Sequence, residues 1–147
     1  MSLFSMLEMS GSALSAERRR AEVVTANMAN ADTTNTPAGG PFRRKQVVFT
    51  SPGGASFRFH LASFHRLAQR QPQAVRLSRV VEDSTPPVMR YEPGHPDADK
   101  NGFVAYPAIN PVAEMVDLMG AMRAYQLNAS AVSASKQMIA QALDLLK

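Results

Sequence analysis

The chain has 147 residues, of which 45% are hydrophobic, so it suits one small domain and is too short for a large multidomain enzyme. It contains no cysteine, which excludes disulfide bonds, thiolate metal sites and a cysteine nucleophile. The net charge of +4 comes from the middle of the chain, because residues 33–81 hold eight basic and no acidic side chains.

The first 36 residues contain no proline and are predicted to form a long helix. Apolar residues there recur in alternating steps of four and three, as in a coiled-coil seam, with interruptions at Ser10 and Glu17. The apolar positions that define this stripe include Leu3, Leu7, Leu14, Val24 and Met28. The segment lacks the basic region and the continuous apolar run of a cleaved secretory signal, so export would need another route.

Asn27 and Asn30 lie one turn apart near the end of this predicted helix. Asparagine is a poor helix former whose side-chain amide both donates and accepts hydrogen bonds. We expect the two amides to satisfy frayed backbone groups or to bridge to an adjacent subunit. The small residues, glycines and prolines of 31–41 then let the chain leave the helix.

Residues 35–110 change from helical spacing to turns and short strands. Residues 45–50 and 74–81 read as strands, residues 51–54 as a turn, and residues 59–71 as one helical excursion. Residues 82–111 are dense in Pro, Gly, Asn and Asp, which predicts a long loop containing a hairpin with its turn at Asn101–Gly102.

The last 36 residues are again free of proline and carry the strongest helical pattern in the chain. Asn110 is the predicted N-cap, with Pro111 at the first helical position. The apolar stripe of this helix contains Met115, Leu118, Met122, Tyr125, Val132, Ile139, Leu143 and Leu146.

These elements predict an α+β fold in which two long terminal helices pack as a coiled-coil-like pair around a small β-rich insertion. The expected division is a helical assembly domain of residues 1–34 and 111–147, and a loop and β-rich domain of residues 35–110. Helices of about 30 residues are about 45 Å long, too long for a compact core of this mass. We therefore predict that both apolar stripes, together with Asn27 and Asn30, form an assembly interface within the chain and with neighbouring subunits.

A calcium-binding loop is the most specific metal-like pattern in the sequence. Asp97, Asp99, Asn101 and Gly102 match the first half of an EF-hand loop, but Ala108 stands where the bidentate glutamate belongs. The three histidines, His60, His65 and His95, include no pair with the helical spacing of metal ligands. No catalytic triad, phosphate loop or paired-carboxylate motif is present, so we predict no catalytic, cofactor or metal site.

Two basic clusters, Arg18–Arg20 and Arg43–Lys45, raise the alternative of nucleic-acid binding. The chain has no tryptophan, and its aromatic residues do not alternate with the basic ones as a stacking platform requires. The alternative function is a soluble binding module whose basic middle contacts nucleic acid or anionic lipid. Salt-dependent binding to random DNA would favour it.

Several segments together resemble the rod and hook axial proteins of the bacterial flagellum. The Asn-apolar-Ala-Asn element of Asn27 to Asn30 resembles a signature shared by that family, and residues 91–104 resemble a segment typical of its proximal rod members. The last helix, residues 114–147, extends the resemblance to the end of the chain.

The resemblance implies a structural, non-enzymatic subunit of the basal-body rod, the axial drive shaft that transmits motor torque. It further implies partners that are other rod proteins and copies of this chain, and export through the flagellar type III apparatus into the periplasmic space without a cleaved signal peptide. Neither nucleic-acid binding nor membrane insertion is expected.

Overall fold

A computed structural model describes residues 3–50 and 75–144 of the chain. Two long helices, α1 (Leu3–Ala29) and α2 (Pro111–Asp144), flank four strands, and the predicted α+β class is confirmed. The strands are β1 (Lys45–Thr50), β2 (Arg76–Glu82), β3 (Val88–Tyr91) and β4 (Phe103–Tyr106). The turn predicted at residues 51–54 and the helical excursion at 59–71 lie outside the described residues.

The inner ends of both helices are closed by asparagine side chains. Asn110 Oδ1 accepts hydrogen bonds from the backbone N–H of Val112 (3.0 Å) and of Ala113 (3.3 Å), which confirms the predicted N-cap. At the end of α1, Asn30 Nδ2 donates to the carbonyl oxygen of Ala26 at 2.8 Å. The same oxygen also accepts from the Asn30 backbone N–H at 3.1 Å, so the side chain adds a second bond to a carbonyl that is already paired.

The fully buried positions of α2 carry small or polar side chains, while larger apolar ones such as Leu118 and Val132 are half-buried. On α2 the buried positions recur every seven or fourteen residues at Glu114, Ala121 and Ser135. Ser135 Oγ lies 3.5 Å from the sulfur of Met6 on α1 and donates to the Ala131 carbonyl oxygen at 2.8 Å. Small residues let two helices approach closely, so this face, and not the methionine-rich face, meets α1.

β1 and β2 form an antiparallel pair at the predicted positions, which confirms both strands. The register runs from Lys45 opposite Glu82 to Thr50 opposite Arg76, with a shift between Val48 and Phe49. No residue of either strand is buried, and Val47, Val48 and Phe49 of β1 are half-buried.

β3 and β4 form a second antiparallel pair, which confirms the predicted hairpin. The strands are joined by residues 92–102, and the predicted turn at Asn101–Gly102 is the last part of this longer connection. Asp99 closes it, because Asp99 Oδ1 accepts hydrogen bonds from the backbone N–H of Asn101 (2.8 Å) and of Phe103 (2.9 Å).

Replacing Gly102 with alanine should destabilise this hairpin. Gly102 has a φ of +79°, and an added Cβ would lie 2.9 Å from Tyr91 Cε2 and 3.2 Å from Pro93 Cβ. The left-handed backbone and the contact together should cost about 1–3 kcal/mol. Amide exchange in residues 88–106 should accelerate in Gly102→Ala.

Gly120→Ala is the matched control, because a Cβ at Gly120 on α2 meets nothing within 4 Å. In a helix interior this change should be neutral or stabilising. Equal exchange rates in the hairpin of both variants would contradict the role assigned to Gly102.

Candidate assembly interface

One side of α2 exposes a set of large apolar residues. We call it the outer face of α2, made of Val112, Met115, Val116, Met119 and Met122. Their exposed fractions are 70%, 52%, 64%, 65% and 53%, respectively. The spacing of three and four residues places them along one side of the helix, away from the buried Glu114 and Ala121.

The residues predicted to form the assembly interface lie in three environments. Val24 and Asn27 are buried inside the chain. Seven are half-buried beside the helix pair: Leu7, Leu14, Met28, Asn30, Leu118, Val132 and Ile139. Four are exposed: Met115, Met122, Tyr125 and Leu143. The side chains of Leu3 and Leu146 lie outside the described residues.

Sequence reasoning missed three members of the outer face, Val112, Val116 and Met119. They lie outside the seven-residue repeat that defines the predicted seam, and they form a second apolar side of α2. The signal was present, since Val112, Val116 and Met119 recur in steps of four and three.

Asn27 lies at a polar junction between α1 and the start of β1. Asn27 Nδ2 donates to the carbonyl oxygen of Lys45 at 2.8 Å, and the Lys45 N–H donates to Asn27 Oδ1 at 2.9 Å. Asn27 Nδ2 also donates to Glu114 Oε2, and these two atoms are 3.0 Å apart. Only 1% of Asn27 is exposed, so its amide acts within the chain.

Glu114 completes this junction from the first turn of α2. Its carboxylate is 1% exposed and accepts a hydrogen bond from Arg44 Nε at 2.6 Å. The same guanidinium lies 3.7 Å from Asp117, which in turn lies 3.4 Å from Arg20 of α1. A carboxylate this deeply buried needs such a partner, because desolvation of an unpaired charge costs several kcal/mol.

The basic middle of the chain is partly neutralised by these contacts. Arg44 is engaged with Glu114 and Asp117, and Lys45 Nζ lies 5.5 Å from the centre of the Phe42 ring.

On α1, Arg18 and Arg19 both pair with Glu22, at 3.1 and 2.9 Å. These ion pairs lower the pKa of Glu22, the hydrogen bond from Arg19 being the largest cause.

The metal-like motif forms a turn that is fastened to the segment after α1. Asp97 accepts hydrogen bonds from Thr34 Oγ1 at 2.6 Å and from Asn35 Nδ2 at 3.5 Å, while His95 Nδ1 accepts from the Asp97 N–H at 3.1 Å. Across residues 3–50 and 75–144, no three acidic or histidine side chains converge as metal ligands would. Over the same residues, neither helix is long and apolar enough to span a membrane.

Known protein families match the two terminal helices of this chain, and known relatives match its whole length. A family described as flagella basal body rod protein matches residues 7–35, and the C-terminal family of the flagellar basal body rod FlgEFG proteins matches residues 100–145. The chain is 38% identical over 151 residues to the flagellar basal-body rod protein FlgC of Bacillus subtilis, covering 100% of both chains. It belongs to the FlgC family.

Two further FlgC proteins give the same result. Identity is 37% over 148 residues with the FlgC of Salmonella typhimurium, covering 99% of this chain and 98% of the relative. Identity is 36% over 151 residues with the FlgC of Borreliella burgdorferi, covering 100% of this chain and 99% of the relative. The resemblance to flagellar axial proteins is therefore confirmed, and this FlgC-family chain is a structural subunit of the flagellar basal-body rod.

Proposed function

We propose that the outer face of α2 is the surface through which this FlgC-family chain is built into the rod. The observation that carries the proposal is the exposure of five large apolar side chains on a helix whose opposite side already packs on α1. A contiguous apolar patch of this kind is unfavourable in water and is typical of a surface that another protein covers.

The chemistry of this face suits contact with more than one type of neighbour. Three of its five residues, Met115, Met119 and Met122, are methionines. Methionine is unbranched and polarizable, so it adapts to partners of different shape. A rod built from several related proteins presents such a varied set of neighbours, and copies of this chain would be among them.

The other predicted interface residues divide by their position in this proposal. Tyr125 and Leu143 are exposed and extend the contact along α2. Val24 and Asn27 are buried, so they would act by shaping the helix pair rather than by touching a neighbour. In the assembled rod, residues 1–34 and 111–147 would form the inner helical layer and residues 35–110 the outer part.

We also infer the route and the surroundings of the chain from its family. It would be exported unfolded by the flagellar type III apparatus without a cleaved signal peptide and would assemble in the periplasmic space. It would be non-enzymatic, with no cofactor, no nucleic-acid partner and no membrane insertion. The internal pairing of Arg44 supports this view against the alternative binding module, because that charge is not available to phosphates.

A tagged chain that restores swimming in a deletion strain tests the proposal. We expect basal bodies purified after removal of the membrane and wall to contain the tagged chain, and the deletion strain to be non-motile. Complementing protein found only in the cytosol, and bound to DNA with a steep salt dependence, would instead establish the binding module.

A further inference from the structure

The β1–β2 sheet lies against the helix pair through half-buried side chains, Val47 and Phe49 of β1 among them. Neither strand contains a buried residue. An open cleft of about 390 Å³ separates the sheet from the helices, with Val24, Phe49 and Asp117 among its lining residues. Apolar burial normally fixes one element on another, and among the described residues of this sheet it is only partial.

Among residues 3–50 and 75–144, polar contacts cross this cleft at one point, the junction of Asn27, Arg44 and Glu114. The two hydrogen bonds between the Asn27 amide and the Lys45 backbone anchor the first residue of β1 to α1. The bond from Arg44 Nε to the buried Glu114 carboxylate anchors the residue before it to α2. The beginning of the sheet is therefore held by both helices at once.

The segment that leads from α1 into this junction contains two glycines suited to rotation. Gly39 and Gly40 have φ values of +88° and +76°, and a Cβ at either position would meet nothing within 4 Å. Glycine adopts positive φ without steric cost. Two backbone hydrogen bonds hold the turn, from the Thr36 N–H to the Gly40 carbonyl oxygen (2.9 Å) and from the Gly39 N–H to the Thr36 carbonyl oxygen (2.8 Å). Once the junction opens, movement of the sheet at this turn would have to break only these two bonds.

We propose that Asn27, Arg44 and Glu114 form a latch that fixes the orientation of the β1–β2 sheet on the helix pair. Opening the latch frees the sheet to rotate about Gly39–Gly40 while the helices and the strands stay folded. A buried ion pair suits this role, because its desolvation cost offsets much of its attraction and it specifies an arrangement more than it stabilises one. All three residues act by positioning the sheet on the helices.

The consequence for the rod rests on the function proposed above. An outer part held at one angle to the inner helices transmits torque from one layer of the rod to the other. An outer part that rotates freely takes up that torque in its own movement. Variants with an open latch should therefore enter the rod but rotate it poorly.

Pulsed electron spin resonance on the full-length chain tests the latch. The natural chain has no cysteine, so spin labels can be placed at Ala129→Cys on α2 and Ser78→Cys on β2, both exposed positions. We expect one narrow distance distribution in the parent and a broad one in Glu114→Gln, with unchanged helix content by circular dichroism. Glu22→Gln is the control, since Glu22 pairs with Arg18 and Arg19 on the exposed face of α1, and it should keep the narrow distribution.

Arg44→Gln is the second variant, because Arg44 is partly exposed and its loss disturbs the helix pair least. A distribution that stays narrow in both variants, or is already broad in the parent, would overturn the latch. Loss of helix content in both variants would overturn it too, since the junction would then be part of the folding core. Broadened distances in a chain that never enters purified basal bodies would support the latch and contradict the proposed function.

Discussion

Asn27→Asp should strongly lower the stability of the chain. The substitution replaces the donating Nδ2 with an acceptor oxygen that would face both the Lys45 carbonyl oxygen and the Glu114 carboxylate. Two hydrogen bonds are lost and two repulsive contacts appear in a site that is 1% exposed. A buried charge without a partner typically costs about 3–5 kcal/mol. Urea unfolding of the purified chain should show the corresponding fall in the midpoint.

Asn27→Ala and Asn30→Asp separate the causes of this effect. Alanine at position 27 removes the hydrogen bonds without repulsion, so about 1–3 kcal/mol should be lost. Asn30 lies one turn further along and is half-buried, with a single donated bond to the Ala26 carbonyl oxygen. Asn30→Asp should therefore cost about 1 kcal/mol or less. Equal losses in the two aspartate variants would show that the junction around Asn27 has no special role.

Local sequence signals account for most of the fold. The cap at Asn110, the strand at Lys45–Thr50 and the hairpin were all predicted from patterns within a few residues of each feature. Such patterns work because capping, alternation and turn chemistry depend on near neighbours along the chain. The length of the hairpin connection was underestimated, since Asp99 closes it through backbone bonds that a two-residue turn does not need.

The polar junction could not be predicted from the same signals. Asn27 bonds to groups 18 and 87 residues away in sequence, and Arg44 to one 70 residues away. A glutamate in the first turn of a helix normally lies at the surface, where its negative charge interacts favourably with the helix dipole. Glu114 is buried because α1 and β1 approach it, and only the tertiary structure defines that approach.

The most deeply buried positions of α2 could not be read from its apolar stripe. That stripe contains Leu118, Val132 and Ile139, which are half-buried, whereas the fully buried positions are Glu114, Ala121 and Ser135. Close approach of two helices favours small side chains at the contact, so the larger ones lie at its edges or face outward.

Met119→Asp should abolish rod assembly while leaving the isolated chain folded. Met119 is 65% exposed, so a carboxylate there stays hydrated in the monomer and should change stability by no more than about 0.5 kcal/mol. When a neighbour covers the outer face of α2, the same carboxylate must lose its water without gaining a cation. That desolvation costs several kcal/mol for each contact, which reduces assembly by a factor of roughly a thousand. Swimming in soft agar should be lost.

Met119→Leu is the matched control, because it keeps an apolar side chain of similar volume at the same position, and it should swim normally. The urea midpoints of both variants should equal that of the parent, which separates an assembly defect from a folding defect. The outer face extends over five residues, so Val116→Asp, on the same side at 64% exposure, should reproduce the loss. Normal swimming by both aspartate variants would mean that this side of α2 faces water in the rod, and the neighbour would then have to bind elsewhere on the helix pair.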